Sequence, residues 1–196
     1  MTVASDSPLR PRGIGRGMKR HGRGADPLAL RRHADRVVSD LVAEYGRVDC
    51  IRRRWPCDPD SYDRVGETYG SVGVVGGAGA LVADADGRVL LVRYAGESAW
   101  SDPGAGRRPG ESMADCATRA VREEVGVECT VTDLAQVHLL YADDGTGREP
   151  VPRPFALFTA RYESGEPRPA GEGVEGARWW AEPPDDLLYE ELGELA

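Results

Sequence analysis

The chain has 196 residues, 40% of them hydrophobic, and a formal net charge of −8, long enough for one domain with a full core plus an extension. No apolar run approaches the roughly 18 residues of a membrane-spanning helix, and the N-terminus lacks the apolar stretch of a secretory signal, so a cytoplasmic protein with no membrane partner is expected. The acidic excess argues against the main domain as a general nucleic-acid binder.

Residues 1–24 are rich in glycine, proline and arginine and almost lack apolar periodicity, as expected of a disordered tail. Arg10, Arg12, Arg16, Lys19, Arg20 and Arg23 crowd this segment; a solvated tail is expected, with RNA contact through this segment as the alternative. Met18 offers an alternative start. Asp26-Pro27 then supplies an N-cap and a first helical position. Leu30, Val37, Val38, Leu41, Val42 and Tyr45 follow at helical spacing until Gly46. This helix is expected to pack on the domain or to mediate a homodimer. Residues 48–67, with Trp55 and Tyr62, read as a connector. The division is therefore a tail over 1–24, a helical extension and connector over 25–68, and the main domain over 69–196.

From Tyr69 to Tyr94 the pattern is that of strands: SVGVVGGAGALVAD, a turn at Asp86-Gly87, and the return strand VLLVRY. Gly73, Gly76, Gly77 and Gly79 leave room for a ligand or for close packing. Next comes PGAGRRPGESMADCATRAVREEVGV, residues 103–127, which reads as a glycine loop feeding a short helix. Ser112 with Asp115 forms the S-x-x-D start signal. Met113, Ala117, Val121 and Val125 recur at helical spacing and face the core, while Ala120, Glu123 and Glu124 share another face. Adjacent carboxylates on a rigid helix suit a hard divalent cation such as Mg²⁺, which takes one or two carboxylates together with substrate phosphates. A solvated helix face is the plainer alternative.

This stretch resembles the Nudix box, G-x5-E-x7-R-E-U-x-E-E-x-G-U, with U aliphatic. Glu123-Glu124-Val125-Gly126-Val127 match E-E-x-G-U, Val121 takes the first U, Arg119 the R, and Glu111 the E that closes the loop. Two positions depart from the pattern: Ala105 stands at the first glycine, between Gly104 and Gly106, and Ala120 stands where a glutamate follows the arginine. The resemblance implies an α/β fold, a Nudix-type α/β/α sandwich with a mixed β-sheet, here with an N-terminal helical extension. It implies a Mg²⁺-dependent (or Mn²⁺-dependent) hydrolase of a pyrophosphate bond in a nucleoside diphosphate derivative: nucleotide, dinucleotide or nucleotide sugar. Glu123 and Glu124 are then the metal ligands, Glu111 and Arg119 brace the loop against the helix within the catalytic set, and Gly104 and Gly106 shape the loop at the ligand. Ala120 removes one ligand, so three outcomes stand open: a site with fewer metals, a carboxylate recruited from Asp143, Asp144, Glu149, Glu172 or Glu175, or lost catalysis. The alternative is a non-catalytic Nudix-fold module that binds a nucleotide in a regulatory role.

Trp100 precedes the loop, with Asp102 where the family usually has leucine. After the box, CTVTDLAQVHLLYAD reads as a strand, DDGTGREPVPRP as a loop, PFALFTARYE as a strand, ARWW as part of a late strand, and AEPPDDLLYEELGEL as a closing acidic helix. Trp55, Trp100, Tyr141, Phe155 and Trp180 are candidates for base stacking, although large aromatics are more often core. Cys50, Cys57, Cys116 and Cys129 lack zinc-site spacing and read as small core or half-buried residues.

Overall fold

A computed structural model describes residues 26–195; the predicted tail over 1–24 and Met18 lie outside them. In chain order the elements are α1 (Pro27–Tyr45), β1 (Asp49–Pro56), α2 (Pro59–Val72), β2 (Gly77–Ala83), β3 (Val89–Tyr94), β4 (Trp100–Ser101), β5 (Gly104–Gly106), α3 (Met113–Val125), β6 (Glu128–Asp143), β7 (Val151–Ser164), β8 (Val174–Trp180) and α4 (Glu191–Leu195). They build one mixed eight-stranded sheet in the order β1-β6-β7-β2-β3-β4, with β5 added to β2 and β8 to β3. The β1–β6 and β2–β7 pairs are parallel; the others are antiparallel.

Strand alternation sorts side chains into two layers. Ala78, Ala80, Val82, Leu90 and Val92 point to one face, where Val37 and Leu41 of α1 and Met113, Ala117, Val121 and Val125 of α3 cover them. Leu81, Val89, Leu91 and Leu157 point to the other, under Tyr189 and Leu192 of the C-terminal segment. The expected α/β/α sandwich is therefore present, with the box helix on one side. A third cluster, with Leu30, Trp55, Tyr62, Val65, Leu140 and Val151, fastens α1 and α2 to the β1–β6–β7 end.

The residues read as a connector contain two elements. IRRRWP lies within β1, and Asp58 caps α2, accepting the Ser61 N–H at 2.8 Å, with Pro59 at the first helical position. That Asp-Pro start repeats the one at Asp26-Pro27 of α1. Gly66 and Gly70 inside α2 are poor helix formers, and they hide its periodicity. The helix runs to Val72, so the strand expected from residue 71 begins only at Gly77. The closing helix is also shorter than expected. Residues 183–184 are prolines, Leu187 bridges to Trp100, and only Glu191–Leu195 is helical.

The glycines of β2 serve packing. An added Cβ at Gly79 would lie 1.9 Å from Asp102 Oδ2, so this glycine admits the Asp102 carboxylate. Asp102 is buried, accepts from Ser101 Oγ at 3.1 Å and from the Tyr189 hydroxyl, and thereby ties the C-terminal segment to the sheet. All four cysteines are free, with Cys116 and Cys129 buried and Cys50 and Cys57 half-buried; burial pushes the Cys116 thiol up to about 11.

Candidate active site

The box loop and α3 meet through one guanidinium. Ser112 Oγ accepts the Asp115 N–H at 3.0 Å and starts the helix, and Gly126, left-handed at φ 71°, ends it. Between them Arg119 points back under the loop and is only 8% exposed. Its Nε donates to Glu111 Oε1 at 2.6 Å, and its Nη2 donates to Glu111 Oε2 and to the Gly106 carbonyl, both at 2.9 Å. Its Nη1 reaches Glu123 Oε2 at 3.1 Å. This is a forked, charge-assisted set that a lysine has too few fixed donors to copy.

Glu123 is exposed and is held by two arginines. Besides Arg119, Arg108 approaches it with both Nη atoms, at 3.2 and 3.1 Å. Glu124 is half-buried on the adjoining face. Its Oε2 accepts the Gly104 N–H at 3.0 Å and the Tyr94 hydroxyl. Tyr94 stands at the end of β3, and nothing in the strand pattern pairs it with α3. Ala120 is fully buried and adds only a methyl group to this helix.

The charges follow from these contacts. Hydrogen bonds from Arg119, opposed by partial desolvation and aided by Arg108, hold the Glu111 carboxyl below its ordinary value of 4.5. For Glu123, desolvation pushes upward, but hydrogen bonds and charge from Arg119 and Arg108 prevail and lower it. A depressed carboxyl stabilises the fold at pH values above its unfolded pKa, and that stabilisation vanishes as pH falls through the lower folded value. Glu111→Gln is therefore expected to lower the urea midpoint at pH 7 and to lower it less at an acidic pH below the depressed folded value. An equal loss at both pH values would show that the ion pair is not its source.

The β7–β8 loop closes the other end of the helix. Ala170 and Gly171 N–H groups both donate to the Glu124 carbonyl, at 2.9 and 3.1 Å, and the Arg168 N–H donates to the Val125 carbonyl at 3.1 Å. These satisfy carbonyls that a helix end leaves open. A Cβ on Gly171 would lie 3.0 Å from Glu124 Cα, and the next residue is the exposed Glu172. Of the other candidate carboxylates, Asp143 pairs with Arg54 of β1, Asp144 with Arg148, and Glu149 with Arg31 of α1 at 2.6 Å. Glu175 is exposed on β8. Among the stacking candidates Trp55 and Trp100 are buried in core clusters. Half-buried Phe155 lies against Gly104, whose notional Cβ would be 2.9 Å from its ring. Tyr141 and Trp180 are half-buried, the latter under the Arg178 guanidinium at 3.7 Å.

Glu123 and Glu124 offer hard oxygen donors side by side, the set that Mg²⁺ or Mn²⁺ takes when phosphates complete its shell. Among the described residues no group of three or more His, Cys, Asp or Glu side chains is gathered for a metal.

Comparison with known proteins agrees with that architecture. The NUDIX domain model matches residues 75–194. An RNA pyrophosphohydrolase of Halorhodospira halophila is 47% identical over 49 residues, 25% of this chain and 27% of that protein. An NAD-capped RNA hydrolase, NudC, of Pseudomonas putida is 35% identical over 126 residues, 64% of this chain and 40% of that protein. The chain thus spans well under half the length of either relative. Among solved structures, a NUDIX hydrolase from Nitrosomonas europaea superposes with a TM-score of 0.49 at 18% identity, covering 61% of this chain and 66% of that one. With the family model running through more than half of its length, the chain belongs to the NUDIX domain family.

Proposed function

We propose that the protein is a divalent-metal-dependent hydrolase of a pyrophosphate bond in a nucleoside diphosphate derivative. The observation that carries this reading is the Glu123–Glu124 pair at the end of a doubly capped helix, with Glu124 accepting the N–H of Gly104 in β5. Glu123 and Glu124 would hold Mg²⁺ or Mn²⁺, which supplies Lewis-acid neutralisation of phosphate charge and a more acidic water. Tyr94 and the Gly104 N–H fix the Glu124 carboxylate, and Arg119 fixes Glu111, Gly106 and Glu123 as one unit. The catalytic unit is the family-matched segment, residues 75–194, preceded by α1, β1 and α2, of which β1 continues the sheet.

The carboxylate missing at Ala120 is supplied in this reading by Glu172. Its loop donates two N–H groups to the Glu124 carbonyl, whereas Asp143, Asp144 and Glu149 are engaged with arginines. Glu172→Gln is expected to lower kcat by about 10- to 100-fold without moving the thermal midpoint. An unchanged kcat assigns that role elsewhere.

The test of the proposal is chromatography of the products formed by the purified protein with Mg²⁺ and with Mn²⁺, at low and molar salt, because cleavage of a pyrophosphate bond leaves the phosphates on the two fragments or frees pyrophosphate. The panel holds ADP-ribose, dinucleoside polyphosphates, nucleoside triphosphates and nucleotide sugars. It also holds 5′-triphosphate and NAD-capped RNA, because the names of the two relatives specify RNA ends. Metal-dependent turnover of one class supports the hydrolase and names its substrate. Ala120 favours one other reading, a module that binds a nucleotide without cleaving it; nucleotide affinity by calorimetry with every substrate of the panel recovered intact would establish that instead.

A further inference from the structure

Glu123 carries two guanidiniums held on very different terms. Arg119 is enclosed, with a side chain 9% exposed, and it also bonds Glu111 and Gly106, so it cannot leave without breaking the loop–helix junction. Arg108 stands on the surface of the box loop with its side chain 60% exposed, opposite a Glu123 side chain 42% exposed. Its fork covers both Oε atoms of the carboxylate. An exposed ion pair of this kind is weakly held. A divalent cation on Glu123 would sit beside that guanidinium as a like charge, and the two would compete for the same oxygens. Arg108 is the partner with freedom to move. A planar guanidinium displaced on this loop has a fork suited to phosphate oxygens.

Resting on the reading of Glu123 as a metal ligand, we propose that Arg108 is an exchangeable counter-cation. It occupies the Glu123 carboxylate in the metal-free protein, yields it to the arriving divalent ion, and then pairs with a phosphate of the diphosphate substrate. Ala120 gives this exchange a purpose. A helix with one carboxylate fewer has less capacity to gather cations, and Arg108 returns a positive charge to the phosphates from the loop side. The residue thus sets metal affinity and diphosphate affinity in opposite directions, a pattern that a merely structural surface pair does not produce.

The experiment is a titration of metal-free protein with Mn²⁺ alone, followed by electron paramagnetic resonance of the free ion, and then calorimetry of ADP binding in saturating Mg²⁺. Wild type, Arg108→Ala and Arg108→Lys are compared, and thermal midpoints confirm that each is folded. Arg108→Ala is expected to bind Mn²⁺ roughly three- to tenfold more tightly and ADP about tenfold more weakly. Arg108→Lys, with the charge but not the fork, falls between in both. Equal Mn²⁺ affinity in wild type and Arg108→Ala overturns the inference alone. A gain in Mn²⁺ affinity with ADP affinity unchanged overturns the handover to phosphate. Folded wild type and variant that both ignore Mn²⁺ overturn the metal reading, and the inference with it.

Discussion

Arg119→Ala is expected to destabilise the protein by about 3–5 kcal/mol, the usual cost of removing one member of a buried ion pair. The structure says why the value is large. The guanidinium is 8% exposed and satisfies two Glu111 oxygens, the Gly106 carbonyl and one Glu123 oxygen. Truncation leaves the Glu111 carboxylate, itself only 12% exposed, without its main partner, and it cuts the loop from the helix. In a chain of this size the thermal midpoint should fall by roughly 10 °C. Arg119→Lys should recover little, since an ammonium cannot span Glu111 and Gly106 together. Thermal unfolding of the three proteins at pH 7 decides it. A midpoint for Arg119→Ala within a degree or two of wild type would mean that the junction is held by something other than this arginine.

The same residue shows what a single sequence can and cannot say. Its partner Glu111 lies eight residues away, and its role as the brace is what the resemblance to the Nudix box implies; spacing by itself does not assign it. Ser112 is legible as a helix start because a helix cap is a neighbour effect. Cys116 and Cys129 read as core residues because small apolar spacing reports burial.

What escaped the sequence came from distant parts of the chain. Tyr94 meets Glu124 only because β3 and α3 pack on one sheet, and no local pattern links positions thirty residues apart. Arg108 sat inside the recognised motif, yet its pairing with Glu123 depends on how the loop folds over the helix. The β1 strand was hidden by its arginines, which suit an edge strand with one wet face, and α2 by its two glycines. The Asp58-Pro59 start was the one available signal, identical in kind to Asp26-Pro27. The glycines at 76, 77 and 79 were read as space for a ligand or for close packing. The structure spends that space on Pro154, on the β5 backbone and on the Asp102 carboxylate.

Glu124→Gln should lower turnover by about 10³-fold while the protein stays folded, which makes it the largest expected effect on activity. The substitution keeps the shape of the side chain. Its amide oxygen, placed at the Oε2 position, still accepts both the Gly104 N–H and the Tyr94 hydroxyl. Only the negative charge and its anionic donor are lost, so the thermal midpoint is expected to remain near wild type while Mn²⁺ affinity drops. A fully active variant would sink the assignment of Glu124 as a metal ligand. Ala120→Glu separates the two readings of the site from the opposite direction. It returns a carboxylate to a buried position one helical turn before Glu123 and Glu124, where like charges repel. The apo protein should therefore lose stability, and added Mn²⁺ should restore more of it than in wild type. If wild type is silent on the whole substrate panel and Ala120→Glu turns over, the natural protein is a binding module built on a hydrolase frame. If wild type already turns over and Glu172→Gln slows it, the loop across the helix end has replaced the glutamate that position 120 lacks.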